Sequence, residues 1–245
     1  MESEYPISIR PFGANAVLIE WEHLVSRAIL NQCITLEREL RNSFSGMWEF
    51  VLAYNSLTLI YNGTEAFQFE KIASKIKYTY NSLEQVANRD NVLWTLPVCY
   101  DDEFSIDMEN VIQRLGYNKS EIIKLHTESI YDVYGIGFLP GFMYLGGLPE
   151  VLEIPRRKHP RQKVAKGAVG LASKQTGIYP QESPGGWNII GNCPVSLFEI
   201  EKEQPCFVSV GDRVQFKAIE KSEYDLIKIQ VEVGIYKPEK QEGYD

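Results

Sequence analysis

From about residue 130 onward the chain loses helical periodicity, and glycine or proline returns every few residues: Gly135, Gly137, Pro140, Gly141, Gly146, Gly147, Pro149, Pro155 and Pro160. Proline locks φ and withholds a backbone donor, and glycine loses the most conformational freedom in regular structure, so no long helix runs through such a tract. Between the breaks stand short β-rich runs: Val169–Ala172, Trp187–Ile190, Val195–Phe198 and Cys206–Val210. A Gly211-Asp212 turn then leads into Arg213–Ile219. Many short strands punctuated by turns specify a closed barrel or a sandwich.

The tract before Trp94 reads differently. Ile7–Phe12 and Ala16–Trp21 form strands around a Gly13-Ala-Asn15 turn. Residues 22–42 place Val25, Ile29, Cys33, Leu36 and Leu40 on one helical face, and residues 65–87 do the same with Phe69, Ile72, Ile76, Tyr80 and Leu83. Trp48–Tyr54 and Leu57–Tyr61 make a hairpin across Asn55-Ser56, and Asn91–Trp94 opens the next strand. The order strand, helix, strand, strand, helix, strand is that of a ferredoxin-like unit. The expected fold is therefore α+β: a ferredoxin-like domain over residues 1–95, a β-barrel domain over 96–237, and a polar, frayed tail over 238–245. Two short helices open the second domain, the first capped by Ser105 with Asp107 and the second by Ser120 with Glu121.

Composition narrows the function classes. A net charge of −8 over 245 residues argues against nucleic acid, which is bound by neutralising phosphates. Cys33, Cys99, Cys193 and Cys206 are scattered without a Cys-x-x-Cys pair, which predicts neither a disulfide framework nor a metal site and fits a reducing cytoplasm. The N-terminus is acidic rather than signal-like, and no apolar run approaches the roughly 20 residues that cross a bilayer. A soluble, cytoplasmic protein is expected. The phosphate loop Gly-x-x-x-x-Gly-Lys-Ser/Thr, the Gly-x-Ser-x-Gly elbow and the His-Glu-x-x-His zinc motif are all missing from the sequence.

Three features carry candidate chemistry. Gln175–Trp187 packs glycines, prolines, Tyr179 and Trp187 around polar Gln175, Glu182 and Ser183, with Asn188 following. A stiff, bent tract with flat aromatics and accessible backbone amides at Gly185 and Gly186 reads as a pocket wall or, failing that, as a barrel connection whose rings plug the core. Pro155-Arg-Arg-Lys-His-Pro-Arg161 is basic and held extended, so neighbouring side chains point oppositely. Arg156, Arg157 and Arg161 cannot all face one way without a turn, and one or two of them suffice to fork onto a carboxylate or phosphate. The alternative is a solvated face or one that contacts a partner. His126, at a helix end, is either structural or a proton carrier.

Gly137-Phe-Leu-Pro-Gly-Phe-Met-Tyr-Leu-Gly-Gly-Leu148, Pro155-Arg-Arg with Pro160-Arg161, Gly167–Ala172, Gln175–Trp187 with Ile190-Gly191, and Gly211–Phe216 together resemble the KipI family. This family comprises the B component of ATP-dependent 5-oxoprolinase and the first component of allophanate-hydrolase-like pairs. The resemblance spans nearly the whole chain. It implies a cyclophilin-like barrel, a partner that is itself cyclophilin-like (the C component of 5-oxoprolinase), a further A component, and ATP used by the complex to open 5-oxoproline to L-glutamate. Alternatives within it are inhibition of a sporulation histidine kinase, and action on another amide. Two stretches depart from the usual pattern: Val164-Ala165 with Ala168, and Asn192-Cys193 where an arginine is usual, which removes one anion-binding donor. For lactam opening, His126, Arg157 and Glu182 are the expected catalytic groups. Arg156, Arg161, Gln175, Tyr179, Ser183, Gly185, Gly186, Trp187 and Asn188 are the expected substrate-binding ones.

Overall fold

The structure is a computed structural model that describes residues 5–44, 46–83 and 92–243; its contacts divide the chain into two compact units, Met1–Arg89 and Asp90–Asp245. The first unit runs β1 (Ser8–Phe12), β2 (Ala16–Glu20), α1 (Arg27–Ser43), β3 (Trp48–Ala53), β4 (Ser56–Tyr61) and α2 (Phe69–Asn81). Its strands lie in the order β1-β2-β4-β3, every pair antiparallel. Because β4 sits between β2 and β3, the segment β2–α1–β3 is a split crossover. Ser26 fixes the start of α1, its hydroxyl accepting from the Ile29 amide at 3.2 Å, so the helix begins after Val25 and leaves that residue exposed. Tyr54 takes a φ of 55°, and Ala53 pairs with Ser56, so the hairpin turns on Tyr54-Asn55, one residue earlier than the sequence pattern suggests. Ile29, Cys33, Leu36 and Leu40 of α1 meet Ile72, Ile76 and Tyr80 of α2 over Val17, Ile19, Leu57 and Leu59 in one core. Each such side chain contributes about 1.5–3 kcal/mol by leaving water.

The second unit comprises β5 (Val92–Cys99), α3 (Met108–Leu115), α4 (Lys119–Glu128), β6 (Ile130–Ile136), β7 (Met143–Gly146), a 3-10 turn (Glu150–Leu152), β8 (Arg161–Val164), β9 (Ala168–Ala172), β10 (Gln175–Ile178), β11 (Ser183–Gly185), β12 (Asn188–Asn192), β13 (Arg213–Ile219), α5 (Lys221–Glu232) and β14 (Glu239–Glu242). Seven strands, β6-β13-β5-β12-β9-β10-β7, close into a barrel through the β6–β7 pair. Within it β13 and β5 run parallel and the other pairs antiparallel. A separate ribbon joins β11 to β8.

Several expectations change here. The strand expected to close the first sheet is β5, which lies in the barrel, while β1 takes the sheet edge beside β2. The 95/96 boundary read from the sequence therefore falls inside β5. A fifth helix, α5, occupies a stretch read as barrel, and the tail read as frayed pairs with β5 through β14. Val195–Phe198 and Cys206–Val210 are irregular chain, yet bury Val195, Leu197 and Val208 in the barrel core. At α4 the cap is Asn118 rather than Ser120: its side chain accepts from the Glu121 amide and Glu121 reaches back to the Asn118 amide. At α3 Asp107 is the cap position but its carboxylate makes no cap bond.

Strand alternation gives the barrel wall two faces. Along β9, Val169 and Leu171 enter the barrel core, while Ala168 and Ala172 turn outward beneath a cluster of Phe142, Tyr179, Trp187 and Ile189. The same division holds at β12, where Ile190 faces in and Ile189 out.

Candidate functional site: an aromatic cleft bordered by arginine

On the outer face of that wall lies a cleft of about 440 Å³ lined by Phe138, Phe142, Tyr144, Tyr179 and Trp187, the chain of Pro184, Gly185 and Gly186, and Arg156, Arg157 and Pro160. Its volume is that of a small-molecule site. The rings meet edge to face: Phe142 stands 5.0 Å from Tyr144, 5.5 Å from Tyr179 and 5.4 Å from Trp187 between centroids. Phe138, at a φ of 68° and 62% exposed, covers the cluster at its solvent edge, 5.6 Å from Phe142. Glycine is required at 185, since a Cβ there would stand 2.3 Å from the Tyr179 hydroxyl. Burial pushes the Tyr179 phenol up, against the Trp187 amide and the Arg156 and Arg161 charges that pull it down. Tyr179 therefore enters the cleft at neutral pH as a protonated donor.

The basic segment bends at Lys158-His159, and Arg157 and Arg161 on either side of the bend meet one carboxylate. Asp107, 3% exposed, takes Arg157 Nη1 on Oδ1 at 2.5 Å and Arg161 as a fork, Nη2 on Oδ1 and Nη1 on Oδ2, each at 2.7 Å. The Ile189 amide also donates to Asp107 Oδ2 at 2.8 Å, and the Asp107 amide donates to the Ile189 carbonyl at 2.9 Å. Removing one partner of such a buried pair typically costs about 3–5 kcal/mol. The segment is pinned twice more, by the Arg157 amide on the Gly186 carbonyl at 2.8 Å and by Asn188 Nδ2 on the Pro155 carbonyl at 3.1 Å. Arg156, between these anchors, is exposed on the cleft rim and enters no ion pair with the described residues.

The remaining expected residues distribute as follows. His126 lies in the barrel interior, wholly buried and stacked on Phe216 at 4.5 Å. The wall of β9, β10 and β12 separates it from the cleft, so the expectation that it moves protons in the same cavity is corrected. Thr176 donates to the Gly170 carbonyl, so its oxygen accepts from His126 Nε2 at 2.9 Å, and Nδ1 accepts from the Tyr100 hydroxyl at 2.7 Å. Burial pushes the imidazole down to about 3, so it is neutral. Glu182 is exposed and pairs with Lys163 at 3.1 Å outside the cleft lining, which corrects its expected catalytic place. Arg157 and Arg161, expected to hold a ligand anion, are engaged by the protein's own carboxylate. Gln175 and Ser183 belong to β10 and β11 and do not line the cleft, and Asn188 ties β12 to Pro155 and Leu171. Asn192 joins the Lys166 carbonyl to the Tyr224 hydroxyl, also away from the cleft lining. Sequence reasoning gives Asp107 only a capping role and no role to Phe138, Phe142 and Tyr144, although Phe138-x-x-x-Phe142-x-Tyr144 sits in the glycine-rich run. No group of three or more metal-ligating side chains occurs among the described residues, and no helix among them is long and apolar enough to cross a membrane.

A seven-stranded barrel carrying this cleft falls in the class described as carboxyltransferase domain, subdomain C and D, whose family model matches residues 7–208. Two curated relatives bear the name of the 5-oxoprolinase B subunit. That of Bacillus subtilis is 34% identical over 76% of this chain and 81% of its own, and that of Haemophilus influenzae 36% over 86% and 97%. The chain belongs to the family of 5-oxoprolinase B subunits. Among solved structures, the protein TTHA0988 is 33% identical at a TM-score of 0.73 over 87% of this chain; the match spans only 40% of that longer polypeptide.

Proposed function

We propose that this chain is the B component of an ATP-dependent 5-oxoprolinase complex, a hydrolase that opens 5-oxoproline to L-glutamate together with A and C components. The observation that carries the reading is the Arg156 guanidinium, without an ion pair among the described residues, on the rim of a flat-walled aromatic cleft. 5-Oxoproline is a flat lactam bearing one carboxylate. Arg156 forks onto that carboxylate, the rings of Phe142, Tyr144 and Trp187 hold the lactam, and the Tyr179 hydroxyl with the Gly185 and Gly186 amides orients its carbonyl. A lactam is an unactivated amide, and ATP supplies the activation by making the carbonyl oxygen a leaving group. Phosphoryl transfer from ATP to the lactam oxygen would release ADP; water would add at the carbon, the C–N bond would break with the freed nitrogen taking a proton as the amino group, and a second water would hydrolyse the remaining acyl phosphate to phosphate and L-glutamate. No carboxylate among the described residues lines the cleft to hold magnesium, so the cleft does not fit the nucleotide, and we assign ATP to a site completed by a partner. The greater length of TTHA0988 agrees with a second, covalently joined region in that relative.

The finer fold descriptions belong to the same reading. The split crossover of the first unit, with β1 at the edge where a last strand is expected, supports a ferredoxin-like description, and the closed barrel supports a cyclophilin-like one. The test is ATP-dependent glutamate release from 5-oxoproline, with this chain alone and with candidate A and C components. Release only in the full mixture is expected; silence in a mixture whose components demonstrably associate would overturn the proposal.

A further inference from the structure

Asp107 lies outside the cleft lining, yet it is the point at which three elements meet. It stands at the head of α3, exchanges two hydrogen bonds with Ile189 of β12, and grips both Arg157 and Arg161. A carboxylate at a helix head ordinarily turns back to the helix's own amides. This one makes no such bond and spends its oxygens on residues 50 and 54 positions away. The gripped Arg157 directly follows Arg156 in the chain, and both stand among the residues that line the cleft. With Arg157 and Arg161 drawn to Asp107, the backbone at Arg157 is fixed, and its neighbour Arg156 is left on the cleft rim without an ion pair among the described residues. The same grip neutralises part of the local positive charge, and Arg156 is the lining guanidinium that enters no ion pair with the described residues.

We infer that Asp107 is a positioning residue for the cleft: by holding Arg157 and Arg161 it fixes the direction of Arg156, and with it the placement of a carboxylate-bearing substrate. The inference rests on the proposed 5-oxoprolinase reading. Losing the carboxylate leaves two cations unpaired and the segment free to rotate, so substrate affinity falls while the activation chemistry, supplied elsewhere, does not.

The experiment is a double-mutant cycle in the reconstituted complex with 5-oxoproline as substrate. Asp107→Asn is expected to raise KM at least tenfold and to leave kcat within about twofold, with Asp107→Glu recovering part of the loss. In an Arg156→Gln background, Asp107→Asn is expected to raise KM no further, because both changes remove one function. A purely structural role predicts instead that the two effects multiply, and that result would overturn the inference. If Asp107→Asn does not fold, Arg161→Gln loosens the same grip and carries the same expectation. A wild-type complex inert toward 5-oxoproline would fail differently, sinking the functional reading and this assignment with it.

Discussion

His126 shows how one residue's surroundings decide its chemistry. Sealed in the barrel with both ring nitrogens satisfied by neutral hydroxyls, it is held as a free base down to about pH 3. An unfolded chain takes up that proton near the ordinary histidine value of about 6.5. Between those two values the unfolded state binds one more proton than the folded state, so stability falls as pH drops through the window. The slope from this group is about 1.4 kcal/mol per pH unit. Urea unfolding from pH 7 to pH 4 is expected to show that loss, and His126→Gln to have a shallower slope over the same range. Identical stability across the window would show that the ring is protonated in the folded protein. At this scale the sequence was legible in part. The run Pro155–Arg161 was legible as a candidate anion-binding segment, but its bend at Lys158-His159, which brings Arg157 and Arg161 onto one carboxylate, was not. The identity of the counter-charge was not legible, because Asp107 lies 50 residues from Arg157 and carries the local signature of a helix cap.

Among the elements, β10 is closely hemmed in by its neighbours. Gly177 faces the aromatic layer, and a Cβ there would stand 2.9 Å from the Met143 carbonyl and 3.0 Å from the Trp187 ring. Gly177→Ala is expected to cost about 1–3 kcal/mol and to shift the fluorescence of Trp187 as its indole is displaced. A variant that melts with the wild type and emits at the same wavelength would show that the ring has room to move. The tract 175–187 was legible as shaped chain but not as β10 and β11, since two short strands joined through a proline-rich bend look like a single loop. Helix α5 was missed for a different reason. It buries Tyr224 and Ile227 but also exposes Leu226 and Ile229, so its apolar residues run around the helix and no single stripe stands out.

For the whole molecule, the helical side of the first unit's core was foreshadowed by hydrophobic spacing, whereas the partition of strands between the units was not. Periodicity identifies a strand without naming its sheet, and β5 is claimed by the barrel because β13 runs parallel to it over seven paired positions. The end of the chain follows the same logic. Glu239–Glu242 has the composition of a solvated tail, yet it satisfies the backbone of β5 from Val92 to Thr95. Deleting residues 238–245 is expected to lower the melting temperature by several degrees by stripping those partners from β5; an unchanged melt would show that water replaces them without cost.

The small residues on the outward side of β9 have a consequence for how such a pocket changes over time. Ala168, Gly170 and Ala172 act as spacers under the aromatic floor: a Cβ at Gly170 would already press on Trp187 and Ile189 at 3.0 and 3.2 Å. Adding or trimming single carbons there raises or lowers the floor, while Val169 and Leu171 on the other side keep the barrel filled. A lineage built on this scaffold can resize its pocket methyl by methyl along one strand, leaving the interior that makes the barrel fold untouched.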